Sequence, residues 1–149
     1  RIEPTFEWWE PDAAPAGAQD DAQDKTAGGP REPGAGRWRE VSLWHKPGPP
    51  DRAPGWVAPH QPRVDFRLWF YGLSFRRGTP DWVRTLLDRL CHAPEVVQPL
   101  FAEPLAPKPM RVRIAFHRYR FTSPEVRAQT GAWWTREGVG ALPPLTCRP

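Results

Sequence analysis

The apolar residues of this chain are concentrated in a few stretches separated by proline-rich segments. The densest stretch is residues 59–73, in which the apolar side chains are Val64, Phe66, Leu68, Trp69, Phe70, Tyr71 and Leu73. An element that is apolar nearly all round is buried nearly all round. As a strand, the stretch would need cover on both faces. Pro62 suits the first turn of a helix, and Gly72 lies where helices often end. The pattern predicts a short, buried central helix.

A second helix is predicted from Thr79 to His92. Thr79 is a suitable N-cap, and Pro80 fits the first helical position. One apolar stripe at helical spacing follows, made of Trp82, Val83, Leu86, Leu87 and Leu90. A stripe of this kind must be buried against another element. We expect it to pack on the central helix, so that the two form a helical pair.

Two segments alternate between apolar and polar residues as strands do. Residues 37–45 form the first, and residues 110–122 form the second. In the second, Val112, Ile114 and Phe116 share one face, whereas Tyr119 and Phe121 fall in the opposite phase. Such a phase switch predicts a β-bulge or twist near His117.

The N-terminal region predicts a strand followed by a long loop. Residues 5–10 are rich in β-prone aromatic side chains and suit an edge strand. Residues 11–36 consist almost wholly of small, polar and proline residues, which cannot form a core. Because both flanks have strand patterns, we interpret this stretch as a flexible low-complexity surface loop and not as a domain boundary.

Composition fits one domain with long irregular connections. The chain has 149 residues, 21 prolines and nine tryptophans, against roughly 7 prolines at average usage. Excess proline shortens helices and interrupts sheets, while abundant tryptophan indicates a packed core. The predicted fold is α+β: a sandwich-like β-sheet module with an inserted helical pair and long proline-rich loops. Residues 1–149 are predicted to be a single domain.

Charge and hydropathy narrow the classes of function. The net charge of +4 is too small an excess to predict nucleic-acid binding. No stretch approaches the roughly 18 apolar residues of a membrane span. Because the sequence begins at Arg1 and not at methionine, we expect it to be a fragment of a longer protein.

The two cysteines, Cys91 and Cys147, leave their state open. They are too few for a disulfide framework and have no metal-ligand spacing. Pairing is possible in an oxidising compartment, but two unpaired thiols, with Cys91 buried at a helix end, is the favoured interpretation.

Candidate catalytic and metal-binding chemistry is sparse. The four histidines are scattered, no Cys/His cluster occurs, and no phosphate loop, dinucleotide fingerprint or nucleophile elbow is present. We therefore predict no enzyme, no cofactor, no metal and no small-molecule substrate. Asp65 is the notable titratable residue, because a carboxylate in so apolar a stretch must be paired. We predict that it forms a structural ion pair with Arg118 or Arg120, which lie among aromatic residues.

Three tryptophans are the candidate partner-binding residues. Trp133 and Trp134 are adjacent and resemble a stacking platform, and Trp44 lies at the end of the first predicted strand. Adjacent aromatics are more often one core residue and one partly exposed residue.

Several blocks in order resemble the C-terminal region of the lipase maturation factor family. The similarity covers about Arg37 to Leu145. The blocks are Trp38-Arg39-Glu40, Lys46-Pro47-Gly48, residues 59–70, Trp82 with the leucine helix, His117-Arg118-Tyr119-Arg120-Phe121-Thr122, Trp133-Trp134-Thr135-Arg136-Glu137 and Pro143-Pro144-Leu145. Residues 11–36 depart from the family pattern by their length and low complexity.

The resemblance implies more than the residues do. Family members are endoplasmic-reticulum membrane proteins with a soluble C-terminal domain on the lumenal side. Bacterial relatives also exist, and a bacterial source would imply a bacterial membrane for this chain. Animal members assist folding and assembly of secreted lipases. The implied function is chaperone-like client binding, with a lipase as the partner and no catalytic residues. A small-ligand or carbohydrate-binding β module, with Trp133 and Trp134 as its platform, is the alternative.

Overall fold

The computed structural model describes residues 1–12, 35–55 and 63–148. Its strands are β1 (Ile2–Pro11), β2 (Gly36–Val41), β3 (Arg111–Phe121), β4 (Trp134–Ala141) and β5 (Leu145–Thr146), and its helices are α1 (Arg63–Ser74), α2 (Asp81–His92), α3 (Pro94–Val97) and α4 (Pro124–Thr130). Short 3-10 turns follow α1 and α3. No helix within these ranges is long and apolar enough to cross a membrane.

The described strands form one antiparallel sheet in the order β2-β1-β3-β4, with β5 also paired to β3. The predicted α+β class is confirmed, although the second layer consists of helices and not of a second sheet as in a sandwich. β1 was expected at an edge, and that prediction is wrong. The strand lies between β2 and β3, because its other side pairs with β3 from Ile2 opposite Arg118 to Trp8 opposite Val112.

The predicted loop after β1 is bounded by paired strand ends. Pro11 lies opposite Gly36, and the Asp12 N–H donates to the Ala35 carbonyl over 2.9 Å. The loop boundaries at residues 11 and 36 are therefore strand residues. Residues 13–34 lie outside the described part of the chain, so the prediction of a flexible loop stays a prediction.

β2 ends four residues earlier than the pattern predicted. From Ser42 onward the backbone leaves β1 and bonds to the segment after α3. The Glu103 carboxylate accepts from the Ser42 N–H at 2.7 Å, and the Ser42 carbonyl accepts from Ala102 at 2.8 Å. Leu43 pairs only as an isolated bridge with Phe101. Side-chain and loop partners thus replace the strand ladder there.

The predicted irregularity in β3 is confirmed at the predicted place. The β3–β4 register shifts between Phe116, opposite Gly140, and His117, opposite Gly138. Val139 of β4 is consequently the residue without a partner, so the extra residue belongs to β4. Tyr119 lies beyond the shift and is buried, as its opposite phase required.

The core lies between the helices and one face of the sheet. Leu68 and Tyr71 of α1 are buried, and the Tyr71 ring meets Phe116 edge-on at 5.5 Å. The leucine stripe of α2 is buried against β3, not against α1 as predicted. The two helices meet where Tyr71 and Arg67 of α1 contact Trp82. Each helix therefore buries its stripe on the sheet, which offers the larger apolar surface.

Three local features differ from what the sequence suggests. α2 begins at Asp81 with Pro80 as its N-cap, and no side chain caps it, so the predicted cap at Thr79 is wrong. Residues 138–149 are rich in glycine and proline, which favours an irregular path, yet β4 continues to Ala141 and β5 follows. α4 was not predicted; it begins after Ser123, whose side chain accepts from the Val126 N–H. α3 and its 3-10 extension follow α2.

Cys91 and Cys147 form a disulfide, so the favoured interpretation of two free thiols is wrong. Cys147 follows β5, and its N–H donates to the Met110 carbonyl at the start of β3. The pattern around each cysteine gave no sign of the other, because 56 residues separate them and β5 is only two residues long. The bond ties the end of the chain to α2.

Candidate functional site

The tryptophan pair at the start of β4 is held by the loop that follows β2. The backbone N–H groups of Trp133 and Trp134 both donate to the Pro50 carbonyl, over 2.8 and 3.1 Å. The Trp134 indole donates to the Arg52 carbonyl at 2.8 Å, and its ring is buried. Trp134 is therefore part of the structural base of this end of the sheet.

Exposed aromatic side chains surround that base. Phe121 stacks on Trp134 with ring centroids 4.4 Å apart and is 68% exposed. Trp133 is half-buried, with the Arg127 guanidinium 4.4 Å from its ring centroid. The pair is thus one buried and one partly exposed residue, as is usual for adjacent aromatics.

Trp44 belongs to the same end of the molecule and is 53% exposed. Its carbonyl accepts from the Arg52 guanidinium at 3.1 Å, and the carbonyl of Arg52 in turn binds Trp134. We name the exposed apolar residues of this region, Trp44, Phe121, Val126 and Trp133, the end patch. Two of the three predicted partner-binding tryptophans, Trp44 and Trp133, belong to the end patch. Trp134 is buried and supports the patch because Phe121 stacks on its ring.

The predicted ion pair of Asp65 with Arg118 or Arg120 is not found. Arg118 instead pairs with Glu137 on β4 at 3.6 Å. Asp65 is buried, and burial raises the pKa of its carboxyl against the opposing charges of His45 and Lys46. His45 and Lys46 lie on the loop after β2, and no sequence pattern indicated that this loop lies next to Asp65.

Lys46 is the centre of a buried charged group. Its ammonium lies 2.5 Å from a Glu3 carboxylate oxygen, and both side chains are almost wholly buried. Arg1 contacts the other Glu3 oxygen. Burial lowers the pKa of Lys46, while the Glu3 and Asp65 carboxylates oppose that shift. The amine faces carboxylates and is closed to solvent, so this group ties β1, the loop and α1 together and offers no reachable nucleophile.

The sheet face opposite the helices carries charged pairs. Glu7 and Arg113 pair at 2.6 Å, and Glu40 pairs with Arg136 at 2.5 Å across the two inner strands. Burial raises the pKa of Glu40 despite its bond to Arg136. Burial likewise lowers the pKa of His117. Each arginine is matched by a carboxylate, which makes the face a structural network.

An exposed apolar surface on α1 was missed by the sequence argument. Burial all round was predicted for this helix, and that is wrong: Phe66, Phe70 and Leu73 are 45%, 52% and 68% exposed. They lie at i, i+4 and i+7, so they form one line along the helix. Trp69 lies beside them, half-buried under the Arg1 guanidinium at 4.4 Å. We name these four residues the α1 ridge. The exact spacing was visible in the sequence, but nothing there showed which side the sheet would cover.

Residues 21–144 match the family model of the lipase maturation factor C-terminal domain. The chain belongs to the lipase maturation factor family. Curated relatives include lipase maturation factor 2 of chicken (Gallus gallus), which is 34% identical over 113 residues. Human lipase maturation factor 2 is 34% identical over 108 residues, and human lipase maturation factor 1 is 34% identical over 114 residues.

The aligned regions cover 68–73% of this chain but only 15–20% of those relatives. The chain thus spans a small part of the length of the lipase maturation factors that it matches. No solved structure matches it.

Four of the seven blocks that resemble lipase maturation factors meet in one hydrogen-bonded network. Tyr119 donates its hydroxyl hydrogen to the Gly48 carbonyl at 2.9 Å and accepts from Arg136 at 3.2 Å. Arg136 also binds Glu40. These residues come from the Trp-Arg-Glu, Lys-Pro-Gly, Arg-Tyr-Arg and Trp-Trp-Thr-Arg-Glu blocks. Their shared chemistry fixes the sheet to its loop.

Proposed function

We propose that this chain is a client-binding domain that assists the folding and assembly of secreted lipases. The observation that carries the proposal is membership of the lipase maturation factor family, whose relatives are named for the maturation of lipases. Because the chain is a small part of those relatives, the activity is proposed for the protein that contains it. The proposal assigns binding and no catalysis to this domain.

The end patch is the proposed contact surface for the client. Trp133 is bonded through its backbone to Pro50, the Trp44 carbonyl accepts from the Arg52 guanidinium, and Phe121 stacks on the buried Trp134, so these three residues rest on a structured base. Exposed apolar surface of this kind suits transient contact with the apolar segments that an incompletely folded protein exposes. We therefore propose Trp44 and Trp133, together with Phe121, as partner-binding residues.

The disulfide supports an oxidising compartment for the domain. We propose that the domain faces the lumen of the endoplasmic reticulum, as part of a membrane-embedded parent, or an oxidising compartment at a bacterial membrane if the source is bacterial. We also propose that residues 1–149 fold as one domain. Replacing residues 13–34 with a short Gly/Ser linker should then preserve cooperative thermal unfolding, since the paired strand ends already meet.

The carbohydrate-platform alternative receives no support from the tryptophan pair. A platform needs open ring faces, but Trp134 is buried under Phe121, and one face of Trp133 is covered by Arg127. We therefore keep client binding as the single proposed function.

The test is refolding of a chemically denatured secreted lipase in the presence of the 149-residue chain. We expect the chain to lower light scattering and raise the yield of active lipase. The triple variant Trp44→Ser, Phe121→Ser and Trp133→Ser should lose this effect while keeping its own cooperative unfolding.

The matched control replaces exposed apolar residues elsewhere, Val96→Ser and Met110→Ser, and should behave as the wild type. Equal protection by the wild type and the end-patch variant would contradict the proposed surface. No protection by the wild-type chain at any ratio to lipase would contradict client binding by this domain.

A further inference from the structure

We propose that the α1 ridge is a docking surface for a lipid bilayer that carries anionic headgroups. The proposal does not depend on the proposed client function, because it concerns a different surface and is measured without a client. The ridge residues belong to α1, whereas the end patch lies at the junction of β3, α4, β4 and the loop after β2.

The apolar part of the ridge is a continuous aromatic line. The Phe66 and Phe70 rings meet edge-on at 5.0 Å, and Trp69 contacts both of them. Leu73 extends the line by one further turn. The ridge spans seven residue steps, or about 10 Å of helix. The opposite side of α1 is anchored on the sheet, where a Cβ at Gly72 would collide with the Ile2 carbonyl. The exposed line is therefore held in place by its own buried side.

Every exposed charged residue on the segment 63–77 is an arginine. These are Arg63, Arg67, Arg76 and Arg77, and the single acidic residue of the segment, Asp65, is buried. Arg63 and Arg67 lie one step around the helix from Phe66 and Phe70. On the other side of the ridge, Arg1 lies over Trp69 and also pairs with the buried Glu3. The apolar line is thus bordered by the arginines of α1 on one side and by the half-exposed Arg1 on the other.

This arrangement fits a bilayer better than a protein partner. Interfacial helices place phenylalanine, tryptophan and leucine into the acyl boundary while basic side chains contact anionic headgroups. A specific protein interface needs patterned polar groups and hydrogen bonds at its rim. The segment offers only apolar side chains and charges of one sign. Its complement is a uniform negative surface above a hydrocarbon layer.

The test is co-flotation of the chain with vesicles of pure phosphatidylcholine and with vesicles of equal phosphatidylcholine and phosphatidylserine. We expect binding to the phosphatidylserine vesicles and little binding to the others. Replacing Phe66, Phe70 and Leu73 together by serine should reduce the partition coefficient by at least ~10-fold, since the three apolar side chains that would enter the bilayer are lost. The Val96→Ser and Met110→Ser variant is the matched control and should bind as the wild type.

Charge is tested separately. Changing Arg63, Arg76 and Arg77 to glutamine should weaken binding roughly 5-fold per arginine that reaches the surface. The same number of substitutions elsewhere, Arg84, Arg89 and Arg120 to glutamine, keeps the net charge equal and should weaken binding less.

Three results would overturn the proposal. They are no binding to either vesicle, equal loss in both arginine variants, and unchanged binding in the ridge variant that still unfolds cooperatively. Loss of lipase protection in the ridge variant, without vesicle binding by the wild type, would assign the ridge to a protein partner instead.

Discussion

Removing the Cys91–Cys147 disulfide should strongly destabilise the domain. The bond closes a sequence separation of 56 residues. In the chain-entropy relation, a loop of that length restricts the unfolded state by about 4 kcal/mol, against typical measured values of about 2–4 kcal/mol. The magnitude is large because the loop runs from the end of α2 through α3, β3, α4, β4 and β5, so an unfolded chain without the bond gains freedom over this whole C-terminal part.

The folded state also depends on the bond locally. β5 pairs with β3 through only two residue pairs, and Cys147 adds one backbone bond to Met110. We expect the end of the chain to separate from β3 when the bond is absent, because two pairs of a two-residue strand are too few to hold it. The loss of β5 is then a separate, smaller effect that adds to the change in the unfolded state.

Urea denaturation of the wild type and of the Cys91→Ala, Cys147→Ala double variant measures the effect. The expected result is a free energy of unfolding lower by about 2–4 kcal/mol, with reduced wild type behaving like the variant. The matched control is the double variant with and without reductant, which should show no difference. Equal midpoints for oxidised wild type and variant, or two reactive thiols in folded protein from an oxidising compartment, would refute the reasoning.

Three further predictions concern single side chains. Tyr119→Phe should lower stability by about 1–3 kcal/mol, because its two hydrogen-bond partners lose a buried hydroxyl. Tyr71→Phe removes a buried hydroxyl that has no partner among the described residues and should cost little. Gly72→Ala should cost about 1–3 kcal/mol, because the added Cβ meets the Ile2 carbonyl, whereas a Cβ at Gly138 meets nothing among the described residues. Denaturation midpoints of the two tyrosine variants and of the two glycine variants measure these differences, and equal costs within a pair would contradict the assignment. Asp65→Asn should flatten the dependence of stability on pH. Burial raises the pKa of the folded carboxyl above its ordinary value of 3.8, so the folded state binds more protons than the unfolded state between these two pKa values. Wild-type stability relative to the variant should therefore fall as pH rises from 3.8 through the raised folded pKa. Unfolding free energies of both proteins from pH 4 to pH 8 measure this, and a constant difference would contradict it.

Much of the secondary structure followed from local patterns. The α2 stripe and the alternation of β3 predicted their elements within a few residues, because periodicity is set by each element's own geometry. A register shift lies at the predicted place in the β3–β4 pairing, but β3 itself stays in register with β1 there, and Tyr119 is buried because the loop at Gly48 covers the opposite face of the sheet. Local patterns did not predict which strands pair with each other. β1 lies inside the sheet because β3, more than 100 residues later, pairs with it.

The candidate site was predictable to a smaller degree. Two end-patch residues were predicted, the exposed Trp44 and the half-buried Trp133, whereas Phe121 was predicted only as a strand residue. The Asp65 prediction failed for a physical reason. Burial of the carboxyl was inferred correctly from its apolar stretch, but its neighbours come from a proline-rich loop whose path no periodicity describes. The prediction that α1 is buried on all sides was wrong for a different reason: apolar composition alone does not show which side of a helix stays exposed.

The two proposed surfaces differ from the network that carries the family blocks. Glu40, Tyr119 and Arg136 bind one another and the loop at Gly48, so these residues are occupied by structural bonds. Their side chains are buried or mostly buried within the sheet and loop, so little of their surface is open to a client. These residues of the family blocks therefore stabilise the fold by fixing the sheet to the loop after β2. Under the proposed function, selection of a client would come from exposed side chains outside this network, such as Phe121 and Trp44. Substitutions in the network should then lower stability and client binding together, whereas substitutions in the end patch should lower client binding alone.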